Sequence, residues 1–191
     1  MSSVIEDFFR LLVDALIYYH NQLIPATICG PILSAAISAL VLQQQAPLQA
    51  TLHYLRDFLS YGSNHPASSS FDESHPRPLD PAIQHTVKQL VESQGEALVQ
   101  RLLTGMMFTF PRDCLQDASG VLMSLFELMP GQAALWVQNT IGILPAGSIK
   151  TGETDRVMNS IAEKVQAGDY RKLRYVLQGM IIPCMRERGE S

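Results

Sequence analysis

The chain has 191 residues and a formal net charge of −4, and 47% of its residues are apolar whereas 17% are charged. This length is sufficient for one domain with a sizeable hydrophobic core. The acidic balance argues against general binding to a phosphate backbone, which requires a basic face, so we expect no direct nucleic-acid partner.

The first sixty residues contain two amphipathic helical patterns. The first predicted helix ends near Tyr19, and Glu6 and Arg10 are placed to pair on its polar side. Its apolar face consists of Ile5, Phe8, Phe9, Leu12 and Leu16. A later helix begins at Pro47, and its apolar residues are Leu48, Leu52, Leu55, Phe58 and Leu59.

Between these two patterns, Leu23–Leu42 carries no charged residue and is long enough to span a bilayer. Pro25, Gly30 and Pro31 interrupt its first half, and no basic flank sets an orientation. We therefore predict a helix that is covered by its neighbours. A membrane-associated protein that uses residues 23–42 is kept as an alternative.

Residues 62–79 are rich in Ser, Pro and His and almost free of aliphatic side chains. This composition cannot bury enough apolar surface to order the chain, and it predicts a flexible, exposed loop.

The stretch from Asp80 to Phe110 predicts one long helix with two offset apolar stripes. Asp80 is placed to cap the first amides, and Pro81 occupies the first helical position, where its missing N–H costs nothing. One stripe contains Ile83, Val87, Leu90, Val91, Gln94 and Leu98, and the other contains Val99, Leu102, Leu103, Met106 and Phe110. Two stripes on one helix indicate neighbours on two sides, as in a stack of helical hairpins.

Four further helices are predicted after Pro111. They begin near Leu115, at Pro130, near Val157 and after Asp169, which is placed to cap the last of them. No segment has a convincing strand pattern. We therefore predict an all-α fold of about eight helices in antiparallel pairs, an α-α superhelix.

The sequence carries no recognisable motif for catalysis or metal binding. Cys29, Cys114 and Cys184 lie far apart and are interpreted as buried free thiols. The five histidines are scattered, and none repeats at the spacing of a helical zinc site. We predict that the protein is not an enzyme and has no catalytic residue, cofactor or metal site.

Three segments together resemble the transportin-SR branch of the importin-β nuclear transport receptors, the branch of transportin-3 and the yeast mRNA transport regulator. They are Val4–Arg10, the Leu55–Leu59 helix with the irregular loop after it, and the stretch from Leu98 through Trp136 to Pro145. The resemblance extends to about Leu177. It implies a solenoid of HEAT-like or ARM-type hairpins, divided here into a hairpin region (1–61), a loop (62–79), C-terminal repeats (80–178) and an atypical tail (179–191).

The resemblance also implies a function. Receptors of that branch carry SR-type and other RNA-binding proteins, shuttle between nucleus and cytoplasm, and release cargo when Ran-GTP binds at an N-terminal arch. Nucleoporins are further candidate partners, and no membrane is involved. The arch lies outside this chain, so we expect a C-terminal segment that is incomplete as a receptor and prone to associate through Val4–Leu16. A helical-repeat scaffold or adaptor unrelated to transport is the other alternative.

In receptors of this kind the second helix of each pair faces the inner surface. The long central helix, the Trp136 helix and the Asp169 helix are therefore expected to line it, together with four basic residues as candidate cargo contacts. These residues are Arg101, Arg171, Lys172 and Arg174. After Gln178 the sequence departs from the family, and we interpret the tail as read-through into an intron. We expect Pro183 to break a helix there and Ile181, Ile182 and Met185 to be exposed.

Overall fold

The chain folds into α-helices, as the sequence predicts. The structure, a computed structural model, describes residues 2–63, 80–145, 148–149 and 152–187, and no strand occurs among them. The helices are α1 (Ser2–Leu23), α2 (Cys29–Ala39), α3 (Gln45–Ser60), α4 (Pro81–Thr104), α5 (Leu115–Leu128), α6 (Pro130–Ile143), α7 (Glu153–Ala167) and α8 (Tyr170–Glu187). Nearly all of the predicted loop 62–79, and the end of the tail, lie outside the described residues.

The first helix packs against α3 through the predicted face, with one exception. Phe9, Leu12 and Leu16 are buried, whereas Phe8 is 42% exposed and its ring packs edge-to-face with that of Phe9. Neighbouring residues on a helix point about 100° apart, so Phe8 and Phe9 cannot both face α3. The predicted end near Tyr19 corresponds to a kink, where φ is −133° and the helix then resumes to Leu23.

The uncharged segment 23–42 forms a short buried helix. Its first part is a series of turns around Pro25, and α2 has only 11 residues. Five of these side chains are buried, namely those of Cys29, Ile32, Leu33, Ala36 and Ile37. In the described part of the chain, no helix combines the length and the apolar character needed to cross a bilayer.

The long central helix begins as predicted and ends differently. The Asp80 carboxylate accepts a hydrogen bond of 2.8 Å from the Ala82 amide, which confirms the predicted cap. After Thr104 the backbone widens into a π-helical turn, Gly105–Thr109, in which the Phe110 amide donates to the Gly105 carbonyl. A Cβ on Gly105 would lie 2.2 Å from the Phe110 ring. The glycine therefore allows the chain to fold this aromatic ring back onto the turn.

The helices lie in two layers. In the first layer α3 packs between α1 and α5, and in the second α4 packs between α2 and α6. Both layers bury a continuous core, which includes Trp136 on α6. Gly95 lies at the α4–α6 contact, where a Cβ would lie 2.4 Å from the Trp136 ring. Alternating helices in two layers confirm the predicted superhelical arrangement.

In the last hairpin, formed by α7 and α8, the first helix joins the second layer and the second helix joins the first layer. The predicted left-handed glycine, Gly168, ends α7 with φ at 66°. Helix α7 packs against α6, whereas α8 packs against α5 and the π-helical turn. The expectation that α8 shares a surface with α4 and α6 is therefore wrong. The reason is that α8 buries four large apolar side chains and fills the open side of α5, whereas α7 buries only two.

Two expectations about the tail are also wrong. Helix α8 continues through Pro183 to Glu187, although a proline in a helix removes one amide donor and its ring crowds the carbonyl four residues earlier. Ile181 is 6% exposed and belongs to the core, as does Met180. The side chains of Ile182 and Met185 lie outside the described part of the structure.

Candidate functional site

Arg101, the first candidate residue, lies in the last turn of α4. Its position near the helix C-terminus is favourable because a cation there offsets the partial negative charge of the helix end. The side chain is exposed, and it lines a depression of about 640 Å³ between α2 and α4. The other side chains around this depression are mostly small and polar, among them Ser34, Ser93 and Gln100.

Lys172, on the first turn of α8, is occupied by a neighbouring carboxylate. Asp169 accepts from the Lys172 amide at 3.2 Å, which confirms the predicted cap, and its other oxygen lies 3.0 Å from the Lys172 ammonium. These hydrogen bonds from Lys172 hold the pKa of the Asp169 carboxyl below its ordinary value. The ammonium group is therefore less available to a partner than its exposure suggests.

Arg174 is half-buried and lines a second depression, of about 380 Å³, between α8, α5 and the π-helical turn. Arg112, from the 3₁₀ turn that precedes α5, lines the same depression. The structure describes no ion pair for either guanidinium group. This second depression, which we call the α5–α8 cavity, therefore carries two unpaired positive charges at one place.

The candidate residues do not form one patch. Arg101 faces the α2–α4 depression and Arg174 faces the α5–α8 cavity, because α8 belongs to the other layer. The side chain of Arg171 lies outside the described part of the structure. Sequence reasoning missed Arg112. Its only signal was its position just after Pro111, at the break between two predicted helices.

The described residues offer no arrangement typical of catalysis. They contain no group of three or more His, Cys, Asp or Glu side chains placed to hold a metal ion. Cys29 and Cys114 are buried free thiols, as predicted, and burial raises the pKa of each to about 11. Thiols with such pKa values are protonated and poorly nucleophilic at neutral pH. Cys184 has no described side chain.

Comparison with known proteins places these features in a family context. Residues 40–132 match the family model of the Importin 13 repeat. The chain is 31% identical to an uncharacterized protein of Schizosaccharomyces pombe over 180 residues, which cover 92% of this chain and 18% of that protein. It is 24% identical to the mRNA transport regulator MTR10 of Saccharomyces cerevisiae over 189 residues, which cover 94% of this chain and 19% of that protein.

The chain thus spans just under a fifth of the length of the curated relatives it matches. The matched segment 40–132 runs from the end of α2 to the start of α6, and it includes the central helices of both layers. The repeat match, the similarity to MTR10 and the layered helices together make this chain similar to proteins of the importin-β family.

Proposed function

We propose that this chain is the C-terminal part of a karyopherin-type nuclear import receptor of the transportin-SR branch, and that it acts by binding and not by catalysis. The observation that carries the proposal is that the Importin 13 repeat match falls on residues whose helices pack in two layers. The relative MTR10 is described as an mRNA transport regulator. Stacked hairpins present broad surfaces suited to protein cargo.

The outer face of α1 supports the idea of a longer stack. Val4, Phe8, Leu11 and Tyr18 lie on the side of α1 that faces away from α3, and they are between 42% and 74% exposed. Terminal repeats of a solenoid normally carry a polar outer face, because nothing covers them. An apolar outer face therefore favours a further hairpin that packs on α1 as α1 packs on α3. In this proposal the Ran-GTP site belongs to a more N-terminal part of the receptor.

The proposed cargo is an SR-type or other RNA-binding protein with acidic or phosphorylated segments. Arg101 and Arg174 supply exposed and half-exposed guanidinium groups, which bind carboxylates and phosphates with two parallel hydrogen bonds. Lys172 and Arg171 add charge on α8, although Lys172 is held by Asp169. Because Arg101 and Arg174 border two separate depressions, the cargo is proposed to contact two surfaces. Nucleoporins are further proposed partners, and the receptor is proposed to shuttle between nucleus and cytoplasm.

Charge reversal in the full-length receptor tests this proposal. Arg101→Glu and Arg174→Glu are each expected to weaken binding to an immobilised SR-type cargo by about two- to tenfold, as for partly exposed charges at an interface. Lys88→Glu is the matched control, because Lys88 is an exposed cation on α4 that lines neither depression. Equal cargo affinity in all three variants would refute the proposed contacts. Cargo binding that does not respond to Ran-GTP would favour a scaffold unrelated to transport.

A further inference from the structure

The α5–α8 cavity combines an apolar floor with polar groups that have no described partner. Its floor is formed by Met106 of the π-helical turn, Leu122 of α5 and Leu177 of α8. Arg112 and Arg174 stand at its edge. Its volume of about 380 Å³ falls within the range of sites that enclose a small ligand or a large side chain with its flanking groups.

Ser119, on the α5 side of the cavity, is an unusual serine for a helix interior. Its side chain is more than nine-tenths buried, it lines the cavity, and the structure describes no hydrogen bond for its hydroxyl group. Ser124 in the same helix and Thr140 in α6 instead donate to the carbonyl four residues earlier. Because Ser119 lines the cavity, its hydroxyl is open to a ligand or to water, which can supply the missing hydrogen bond.

The backbone around the cavity is also locally irregular. The π-helical turn Gly105–Thr109 turns Met106 into the cavity floor, and the 3₁₀ turn that follows places Arg112 at its edge. Single π-helical turns within helices occur frequently at functional sites. The irregular turn, the unpartnered hydroxyl and the two free guanidinium groups therefore meet at one place.

We propose that the α5–α8 cavity binds a short acidic segment of a partner protein that inserts one large apolar side chain between flanking carboxylates. The apolar floor receives the inserted side chain, the guanidinium groups pair with the carboxylates, and the Ser119 hydroxyl donates to the peptide backbone. Charge complementarity favours this occupant over a basic or purely apolar one. The inference concerns peptide binding alone, and it stands whether or not the chain takes part in nuclear transport.

Pooled peptide binding to the purified chain tests this inference. The probe is a fluorescein-labelled pool of seven-residue peptides with Phe, Leu or Trp at the centre and Asp or Glu on both sides. We expect this pool to bind with at least about tenfold higher affinity, measured by fluorescence anisotropy, than either of two matched pools. One matched pool has Asn or Gln in place of the acids, and the other has Ala at the centre. Equal binding of the three pools, or no binding, would overturn the inference.

Variants localise the binding. Arg112→Gln with Arg174→Gln is expected to reduce binding of the acidic pool by at least about tenfold, since two charge-assisted hydrogen-bonded pairs are lost, each weakened by solvent. The matched control is Lys88→Gln with Arg156→Gln, which removes the same charge from α4 and α7. A loss that is equal in both double variants would assign the effect to net charge and refute the site.

Hydrogen–deuterium exchange of the unaltered chain provides a measurement that does not depend on any variant. The acidic pool is expected to slow exchange in residues 112–122 and 174–181 and to leave α2 unchanged. The same residues should not become protected when the protein concentration is raised without peptide, because such protection would mean that a second copy of the chain occupies the cavity. That result would contradict the proposal.

Discussion

The close approach of Gly95 on α4 to Trp136 on α6 predicts the result of one methyl addition, Gly95→Ala. A Cβ at Gly95 would lie 2.4 Å from the Cη2 and Cζ3 atoms of Trp136, about 1 Å closer than ordinary carbon contacts. The indole is rigid and only 6% exposed between α4 and α6, so it has little freedom to move away. The added methyl group must therefore displace α4 and α6 relative to each other.

Two opposing effects, helix propensity and overpacking, decide how much Gly95→Ala changes the free energy of unfolding. Replacing glycine by alanine inside a helix is worth about 1 kcal/mol of stability, whereas overpacking a core costs about 1–3 kcal/mol. Because the conflict involves a rigid ring, we take the upper part of that range and expect a net loss of about 2 kcal/mol. For a domain of this size such a loss lowers Tm by about 4–8 °C.

The control substitution is Gly142→Ala in α6, the helix that carries Trp136. No atom lies within 4 Å of a Cβ at Gly142, so the propensity term acts alone and stability should be unchanged or higher by up to about 1 kcal/mol. Trp136→Phe removes the ring atoms in conflict, and in that background Gly95→Ala should no longer destabilise. This coupling between two positions is the signature of direct contact.

Urea unfolding followed by far-UV circular dichroism is the appropriate assay. Trp136 is the single tryptophan of the chain, so its fluorescence cannot follow unfolding of the Trp136→Phe variant. Gly95→Ala without loss of stability would refute the close α4–α6 packing. An equal loss in the Trp136→Phe background would assign the effect to α4 alone and refute the reasoning from contact.

Three further predictions concern the first layer and the buried thiols. The buried Tyr54 hydroxyl has no hydrogen-bond partner among the described residues, so Tyr54→Phe should be neutral or stabilise the chain by about 1 kcal/mol. Tyr61→Phe instead loses a 2.8 Å hydrogen bond to the Leu16 carbonyl of α1 and should destabilise the chain by about 1 kcal/mol. Losses of equal size in urea unfolding would contradict this difference. In the folded chain the pKa values of Cys29 and Cys114 are raised from 9.0 to about 11, so the thiols of the unfolded chain ionise at a lower pH. Their contribution to the free energy of unfolding should therefore be fully present below pH 9 and be lost as the pH rises towards 11. Replacement of both thiols by Ala should make that decline shallower, and an unchanged slope would refute the assignment. The exposed apolar residues on the outer face of α1 should cause the chain to self-associate, and Leu11→Ser should weaken this association in light scattering. A monomeric chain at high concentration would contradict this prediction.

The helix pattern of this chain is predictable because its local signals act within a few residues. Asp80 followed by Pro81, and Gly168 followed by Asp169, mark helix boundaries by backbone chemistry that needs no distant partner. The buried stripes of α4 follow from the 3.6-residue period in the same way. These parts of the prediction agree with the structure.

The parts that failed depend on long-range packing. The sequence gives no local signal that α8 packs against α5 and α7 against α6, because this choice depends on which helix face completes the core. The π-helical turn has no sequence signature either, and it immediately precedes the segment that brings Arg112 to the same cavity as Arg174. A regular repeat would place all four candidate basic residues on one surface. The inverted last hairpin instead separates Arg101 from α8.

The most direct test of the proposed receptor function is the response of cargo binding to Ran-GTP. The full-length gene product is immobilised, loaded with an SR-type cargo protein, and washed with Ran-GTP or Ran-GDP at equal concentration. Ran-GTP is expected to release the cargo, whereas Ran-GDP is expected to leave it bound. Cargo that stays bound in both washes would contradict a role in nuclear import.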